Sequence, residues 1–127
     1  MWLVKIVETV FDLDFSFLGI KPISVEGLPG IILFHFIHGD WEHLFANTVP
    51  ILVLGTSLYY FYRPIANKTL LILMFSTGFL TWCGARSGVH IGASGLVYGL
   101  TFFLMISGFI RRDRKLIIIS LIVVFLY

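Results

Sequence analysis

The chain has 127 residues, of which 58% are hydrophobic and 13% charged, and its mean hydropathy is +0.98. A soluble domain carries about 25% charged residues, so this chain has too few to cover a surface that faces water. The formal net charge of +2 is too small to indicate a nucleic-acid partner, and a single cysteine excludes an internal disulfide framework. The composition therefore predicts a protein that lipid surrounds.

The N-terminal region does not resemble a signal peptide. Lys5 and Glu8 interrupt the apolar residues 1–11, and no small-residue cleavage site follows them. This first segment is instead interpreted as the end of an earlier spanning helix. Residues 12–42 mix Phe, Leu and Ile with Asp, Lys, Pro and Gly, which predicts an apolar loop at the membrane interface.

Four longer apolar stretches follow, at residues 44–62, 69–82, 91–110 and 116–127. Crossing a bilayer takes about 20 apolar residues, so the first and third qualify and the second is marginal. The fourth would reach only about 18 Å. We therefore predict an all-α, polytopic transmembrane helix bundle, and we expect the natural protein to continue past Tyr127.

The basic residues predict how this bundle is oriented. Six of the nine lie in the two connections that follow the first and third spans, and both connections are on one side of the membrane. An excess of Lys and Arg marks the cytoplasmic side, so both spans run from outside to inside. The six residues are Arg63, Lys68, Arg111, Arg112, Arg114 and Lys115.

Two of these spans have polar residues near their N-terminal ends, where such groups are costly in lipid. Asp40 is a candidate N-cap of the first span, in which His43 and Asn47 are four residues apart and share one helix face. Ser94 begins the third span. Asn47 and Ser94 lie roughly 22 and 25 Å above the cytoplasmic ends of their helices, which predicts that both are at one depth, just below the outer surface.

This arrangement predicts a particular chemistry. A serine hydroxyl is a nucleophile when a base takes its proton. The Asn47 amide, an imidazole N–H of His43 and backbone N–H groups near Ser94 are donors of the kind that stabilise an oxyanion. Gly92 would let the backbone approach closely, and Gly95 with Gly99 forms a small-residue pair on which another helix can pack.

His90 and Cys83 are expected to have no part in this chemistry. His90 is four residues before Ser94, but it is expected to lie outside the helix and to point elsewhere. No carboxylate or thiol completes a metal-ligand set with His38, His43 and His90, so no metal is expected. Cys83 is expected to be a small buried residue.

Two motifs together resemble those of the rhomboid intramembrane serine proteases. The pattern His38-x4-His43-x3-Asn47 is followed by Gly92-Ala93-Ser94-Gly95, and Tyr98 comes four residues after the serine. The resemblance extends from about Leu18 to Tyr127. Gly-x-Ser-Gly alone is a weak signal, whereas both motifs in this order and at matching depth are specific.

The resemblance implies that residues 1–127 are part of a six-helix rhomboid core. They would comprise the end of the first helix, a membrane-embedded first loop, the second to fourth helices and the start of the fifth. Ser94 would be the nucleophile, and His43, Asn47 and the Ser94 backbone N–H would bind the oxyanion. Tyr98 would stack against the catalytic histidine, and His38 would have a structural or water-binding role.

In this family the general base is a histidine of the sixth helix, and no matching residue is present in these 127. The resemblance thus implies an intramembrane serine endopeptidase, inactive as this fragment, that needs no cofactor. It would be a multi-pass protein of a bacterial inner membrane and would cut transmembrane substrates near the outer face. The first alternative is a rhomboid-like pseudoprotease that binds membrane helices without cutting them. The second is an unrelated transporter fragment, which would have polar residues near the midplane.

Overall fold

The computed structural model describes residues 1–127 and contains helices with a single isolated antiparallel residue pair. The predicted all-α fold is confirmed. Single 3₁₀ turns at Ser16–Leu18, Val25–Gly27 and Phe34–Phe36 lie between the first helices. In chain order the α-helices are α1 (Trp2–Phe11), α2 (Gly30–Leu33), α3 (Trp41–Tyr62), α4 (Ala66–Gly84), α5 (Ser94–Arg111) and α6 (Arg114–Leu126).

Helix α3 begins where its sequence predicts. The Asp40 carboxylate accepts a hydrogen bond from the backbone N–H of His43 at 2.6 Å, and Glu42 adds a negative charge to the positive first turn. Pro50 lies inside the helix and has no N–H to donate to the carbonyl of Ala46. The first turns of α3 are therefore less firmly bonded to the rest of the helix.

Helices α4 and α5 differ from their predicted bounds. α4 already begins at Ala66, so Lys68 lies in its first turn instead of in the connection before it. α5 begins three residues later than residue 91, because Gly92 has a φ of +110° and cannot continue a right-handed helix. Ser94 is consequently the first helical residue of α5.

Helix α5 is the centre of the bundle, and α3, α4 and α6 pack around it. A β-carbon on Gly99 would lie 3.0 Å from Cγ2 of Thr77, and one on Gly95 would lie 3.6 Å from its Cβ. The two glycines therefore provide the close approach between α4 and α5 that their spacing predicts. The buried core consists of Leu54, Leu58, Ala66, Leu96, Val97, Leu100, Leu104, Leu116 and Val123.

The segment between α1 and α3 packs along α4. A β-carbon on Gly78 would lie 1.9 Å from the backbone oxygen of Ile31, so α2 touches the backbone of α4 at that glycine. His35 is hydrogen-bonded through Nε2 to the backbone oxygen of Met74 at 3.0 Å. Trp82 donates from Nε1 to the backbone oxygen of Ser24 at 2.9 Å. The segment between α1 and α3 is thus held against α4 by contacts in three successive turns of that helix.

Two helices, α3 and α5, are long and apolar enough to cross a membrane. Large apolar side chains are exposed along both of them, including Val49, Leu52, Phe102 and Ile106. In water such a surface would be costly, whereas lipid solvates it without penalty. The exterior of the bundle therefore agrees with the lipid environment that the composition predicts.

Candidate active site

His43 and Gly92, which belong to the two predicted site segments, are in direct contact. A β-carbon on Gly92 would lie 2.7 Å from Cε1 and 2.9 Å from Nε2 of the His43 ring, so any side chain there would collide with the imidazole. The Gly92 N–H donates to the backbone oxygen of Phe34 at 2.9 Å, which fixes the turn before Ser94. The start of α3 and the start of α5 thus meet at one place.

Asn47 is fully buried one turn below His43. Its amide nitrogen donates to the backbone oxygen of His43 at 2.8 Å, and its Oδ1 accepts a hydrogen bond from the Tyr127 hydroxyl at 2.9 Å. Because a carboxamide has two N–H groups, one donor of Asn47 remains available to a ligand.

Ser94 is partly buried at the N-terminus of α5. The backbone N–H groups of Ser94, Gly95 and Leu96 precede the first hydrogen bond of the helix, which Val97 donates to Ala93. Unpaired N–H groups and the helix dipole make such a terminus attractive to negative charge. An anion formed beside the Ser94 hydroxyl would therefore be stabilised.

His38 lies behind this site. It is 2% exposed, its ring centroid is 5.2 Å from that of His43, and neither of its ring nitrogens has a hydrogen-bond partner. Burial, and then electrostatic repulsion from the neighbouring His43 ring, lowers the pKa of His38 from 6.5 to about 4. His38 is consequently a neutral imidazole at physiological pH.

Tyr98 and His90 lie at the edge of the site or outside it. The Tyr98 ring is 53% exposed and faces the Tyr127 ring edge-on, with centroids 5.7 Å apart. His90 is hydrogen-bonded through Nε2 to the backbone oxygen of Arg86 at 2.8 Å, so it points away from Ser94 as expected. No three His, Cys, Asp or Glu side chains converge in the structure.

The expectation that Cys83 is buried is wrong. Its side chain is exposed in the last turn of α4. No residue of that turn belongs to the buried core, which meets α4 at its other end, at Ala66. The position of Cys83 at the end of the helix therefore outweighs the usual preference of cysteine for the interior.

Sequence reasoning missed Tyr127. Its hydroxyl bonds to Asn47, 80 positions earlier in the chain. A tyrosine that ends an apolar helix is normally a membrane-interface residue, and nothing in its neighbours indicates a polar partner. Only the packing of α6 against α3 reveals the contact.

The glycine two residues before Ser94 thus contacts an imidazole of another helix, within a helix bundle that has a lipid-facing exterior. The sequence model of the Rhomboid domain matches residues 26–127. The chain therefore belongs to the rhomboid family. Members of this family are in general intramembrane serine proteases that act on membrane-embedded substrates.

Proteins of several mycobacteria are similar in sequence to this chain. Proteins of Mycobacterium tuberculosis and Mycobacterium bovis, both described as uncharacterized, are 34% identical over 140 residues, which cover 100% of this chain and 55% of each relative. An uncharacterized protein of Mycobacterium leprae is 32% identical over 140 residues and is covered to 53%. The chain thus spans about half the length of these relatives. No solved structure matches it.

Proposed function

We propose that this protein is an intramembrane serine endopeptidase that cuts transmembrane helices near the outer membrane face, with Ser94 as its nucleophile. The observation that supports this most directly is the contact between the His43 ring and Gly92. It brings an imidazole next to the turn that precedes Ser94, and Asn47 follows one turn further along the same helix face as His43.

In the proposed reaction the Ser94 hydroxyl attacks the scissile carbonyl carbon, and the electron pair of the carbonyl bond moves to its oxygen. The Ser94 backbone N–H, the free N–H of Asn47 and a ring N–H of His43 would donate hydrogen bonds to that oxygen. The base takes the serine proton and passes it to the leaving amine. Water then hydrolyses the acyl-enzyme with the same base.

The base is assigned to a part of the protein outside these residues. The chain contains four histidines, and none of them is hydrogen-bonded to Ser94. His35 and His90 are bonded to backbone oxygens, and His38 is buried behind His43. The family's base is a histidine of the sixth helix, so we propose that a residue beyond 127 supplies it.

An apolar groove of about 260 Å³ between α3 and α6 is the proposed approach for the substrate. Phe45, Val49 and Val53 line it on one side and Ile122 and Leu126 on the other. At one point it includes Tyr127, whose hydroxyl is bonded to Asn47. A substrate helix lying there would be solvated by apolar side chains and would have its backbone next to the oxyanion donors.

Labelling the full-length protein in membranes with a fluorophosphonate tests the assignment. Native protein and the control Ser87→Ala, in the outer loop, are expected to be labelled and to cleave a transmembrane substrate. Ser94→Ala is expected to do neither. Equal labelling of the Ser94→Ala variant would rule out this nucleophile. A native protein that binds transmembrane helices but is neither labelled nor active would be a pseudoprotease.

A further inference from the structure

We infer that Lys5 of α1 is a positioning residue for His43, because it fixes the two residues that come directly before the N-cap of α3. This inference rests on the proposed function, to which it adds a residue that acts through the oxyanion site. Lys5 precedes residue 26, where the match to the Rhomboid domain begins. The family match therefore gives it no role.

The Lys5 ammonium is hydrogen-bonded to two backbone oxygens and paired with one carboxylate. Its Nζ donates to the backbone oxygen of His38 at 3.1 Å and to that of Gly39 at 2.9 Å. It also lies 3.5 Å from Oε2 of Glu8, one turn further along α1. Two of the three N–H donors of the ammonium are thus used by backbone oxygens, and the Glu8 carboxylate balances its charge as an ion pair.

The ion pair is shielded from solvent. The Lys5 side chain is 14% exposed and that of Glu8 is 8% exposed. Oε1 of Glu8 accepts the backbone N–H of Phe15 at 3.0 Å, so the same carboxylate holds the turn that leaves α1. A shielded charge is kept only where it is paired, and an ordinary lysine near a membrane surface extends its ammonium into water. Lys5 instead points inward, at the start of α3.

The start of α3 has few other restraints. His38 offers no hydrogen bond from either ring nitrogen, and Pro50 removes a backbone bond between the first turns of α3 and the rest of the helix. Next to these turns, Trp2 donates from Nε1 to Oγ1 of Thr48 at 3.1 Å and packs edge-on against Phe45. α1 therefore holds both ends of the segment that contains His43 and Asn47.

The inferred chain of contacts is short. Lys5 holds the backbone at His38 and Gly39, Asp40 caps the next turn through the His43 N–H, and the His43 ring lies against Gly92. A shift in the first contact displaces the imidazole from the place where the oxyanion forms. Small displacements of a catalytic group reduce the rate more than they reduce substrate binding.

The test compares Lys5→Met, Lys5→Arg and Lys21→Met in the full-length protein. Lys21 forms the other Lys–Glu pair of this outer region, with Glu26, and its ammonium is hydrogen-bonded to neither His38 nor α3. Lys5→Met should lower kcat at least about tenfold with little change in KM. Lys5→Arg should restore most of kcat, and Lys21→Met should leave it unchanged. In a His43→Ala background, Lys5→Met should cause no further loss. An undiminished kcat for Lys5→Met, or an equal further loss in the His43→Ala background, would overturn the inference.

Amide hydrogen exchange separates this inference from the proposed function. In Lys5→Met, the His43 amide should exchange about fivefold faster, while amides in the centre of α5 keep their native rates. Lys21→Met should leave the His43 amide unchanged. If the native protein lacks Ser94-dependent activity, the proposed function fails, and the exchange rates alone decide whether Lys5 holds α3. Unchanged exchange at His43 would then refute it.

Discussion

At the scale of single residues, the candidate site depends on Gly92. This residue combines a left-handed φ of +110° with the absence of a side chain where the His43 ring lies. A non-glycine residue would meet two separate obstacles, the unfavourable backbone conformation and the collision with the imidazole. The first glycine of the Gly-x-Ser-Gly motif is thus required by its backbone conformation and by its packing against His43.

Gly92→Ala is expected to lower kcat at least about tenfold, because the added methyl group displaces His43. Gly88→Ala is a matched control. Gly88 also has a positive φ, of +136°, but a β-carbon there meets no atom within 4 Å. Both variants should lose about 1–3 kcal/mol of stability through backbone strain, and only the first should lose activity. Equal activities in a cleavage assay would contradict the role of the His43 contact.

His38 predicts a pH dependence of stability. Its pKa is about 4 in the folded protein, against an ordinary value of 6.5. The unfolded state therefore binds more protons between these values, so stability is complete above pH 6.5 and falls as the pH drops towards 4, by about 3 kcal/mol in total. Unfolding by SDS in mixed micelles at pH 7.5 and at pH 5 measures this change.

A glutamine at position 38 removes the titrating group, so His38→Gln should reduce the difference between the two pH values. His90→Gln, at a partly exposed position outside the site, should preserve it. An unaltered pH dependence in His38→Gln would show that another group is responsible.

The sequence predicts the polar members of the candidate site and a common depth for them in the membrane. Helix period and span length place Asn47 and Ser94 at one depth, and the Asp40 cap is confirmed by its bond to His43. The same reasoning could not find Tyr127 or Lys5. Their partners are 80 and 33 or more positions away, and such contacts depend on which helices are neighbours.

At the scale of elements, α4 is the helix against which the segment between α1 and α3 packs. The backbone of α2 touches Gly78, and on either side Met74 and Trp82 are hydrogen-bonded to the same loop. The sequence predicts residues 12–42 only as an apolar loop at the interface and does not reveal their contact with α4, because a single glycine inside an apolar helix has many possible reasons. The contact with α2 gives Gly78 a specific one.

Gly78→Ala is expected to destabilise the protein by about 1–3 kcal/mol, because the methyl group would overlap the backbone oxygen of Ile31. Gly55→Ala in α3 is the comparison, since a β-carbon there meets nothing within 4 Å. Alanine is the better helix former by about 1 kcal/mol, so this second variant should be neutral or more stable. Thermal unfolding in detergent measures both. Destabilisation of equal size would show that helix propensity, not the α2 contact, governs Gly78.

At the scale of the whole molecule, the lipid-facing exterior and the family agree that this is a membrane protein. The predicted orientation depends on the basic residues alone, six of which lie at the ends of helices α3 to α6 opposite the candidate site. Composition was enough for the fold class. It could not give the order in which helices pack, because apolar helices in lipid carry little information about their neighbours.

The exposed Cys83 offers a direct test of orientation. It lies at the end of α4 opposite the basic connection, so a membrane-impermeant maleimide should label it from outside intact cells or spheroplasts. Arg112→Cys in a Cys83→Ser background should react only after the membrane is opened. The reverse pattern would invert the topology and place the candidate site on the cytoplasmic side.

The isolated pair between Ile20 and His90 exchanges two backbone hydrogen bonds of 2.9 Å each, and it joins the loop before α2 to the loop before α5. Ser94 follows His90 by four positions, so this spacing sets the distance between the serine and the Ile20–His90 backbone pair. An insertion between them would shift Ser94 relative to α3, whereas one among residues 85–88 would be accommodated at the surface. Homologous sequences should therefore vary in length on one side of His90 and keep a constant length on the other.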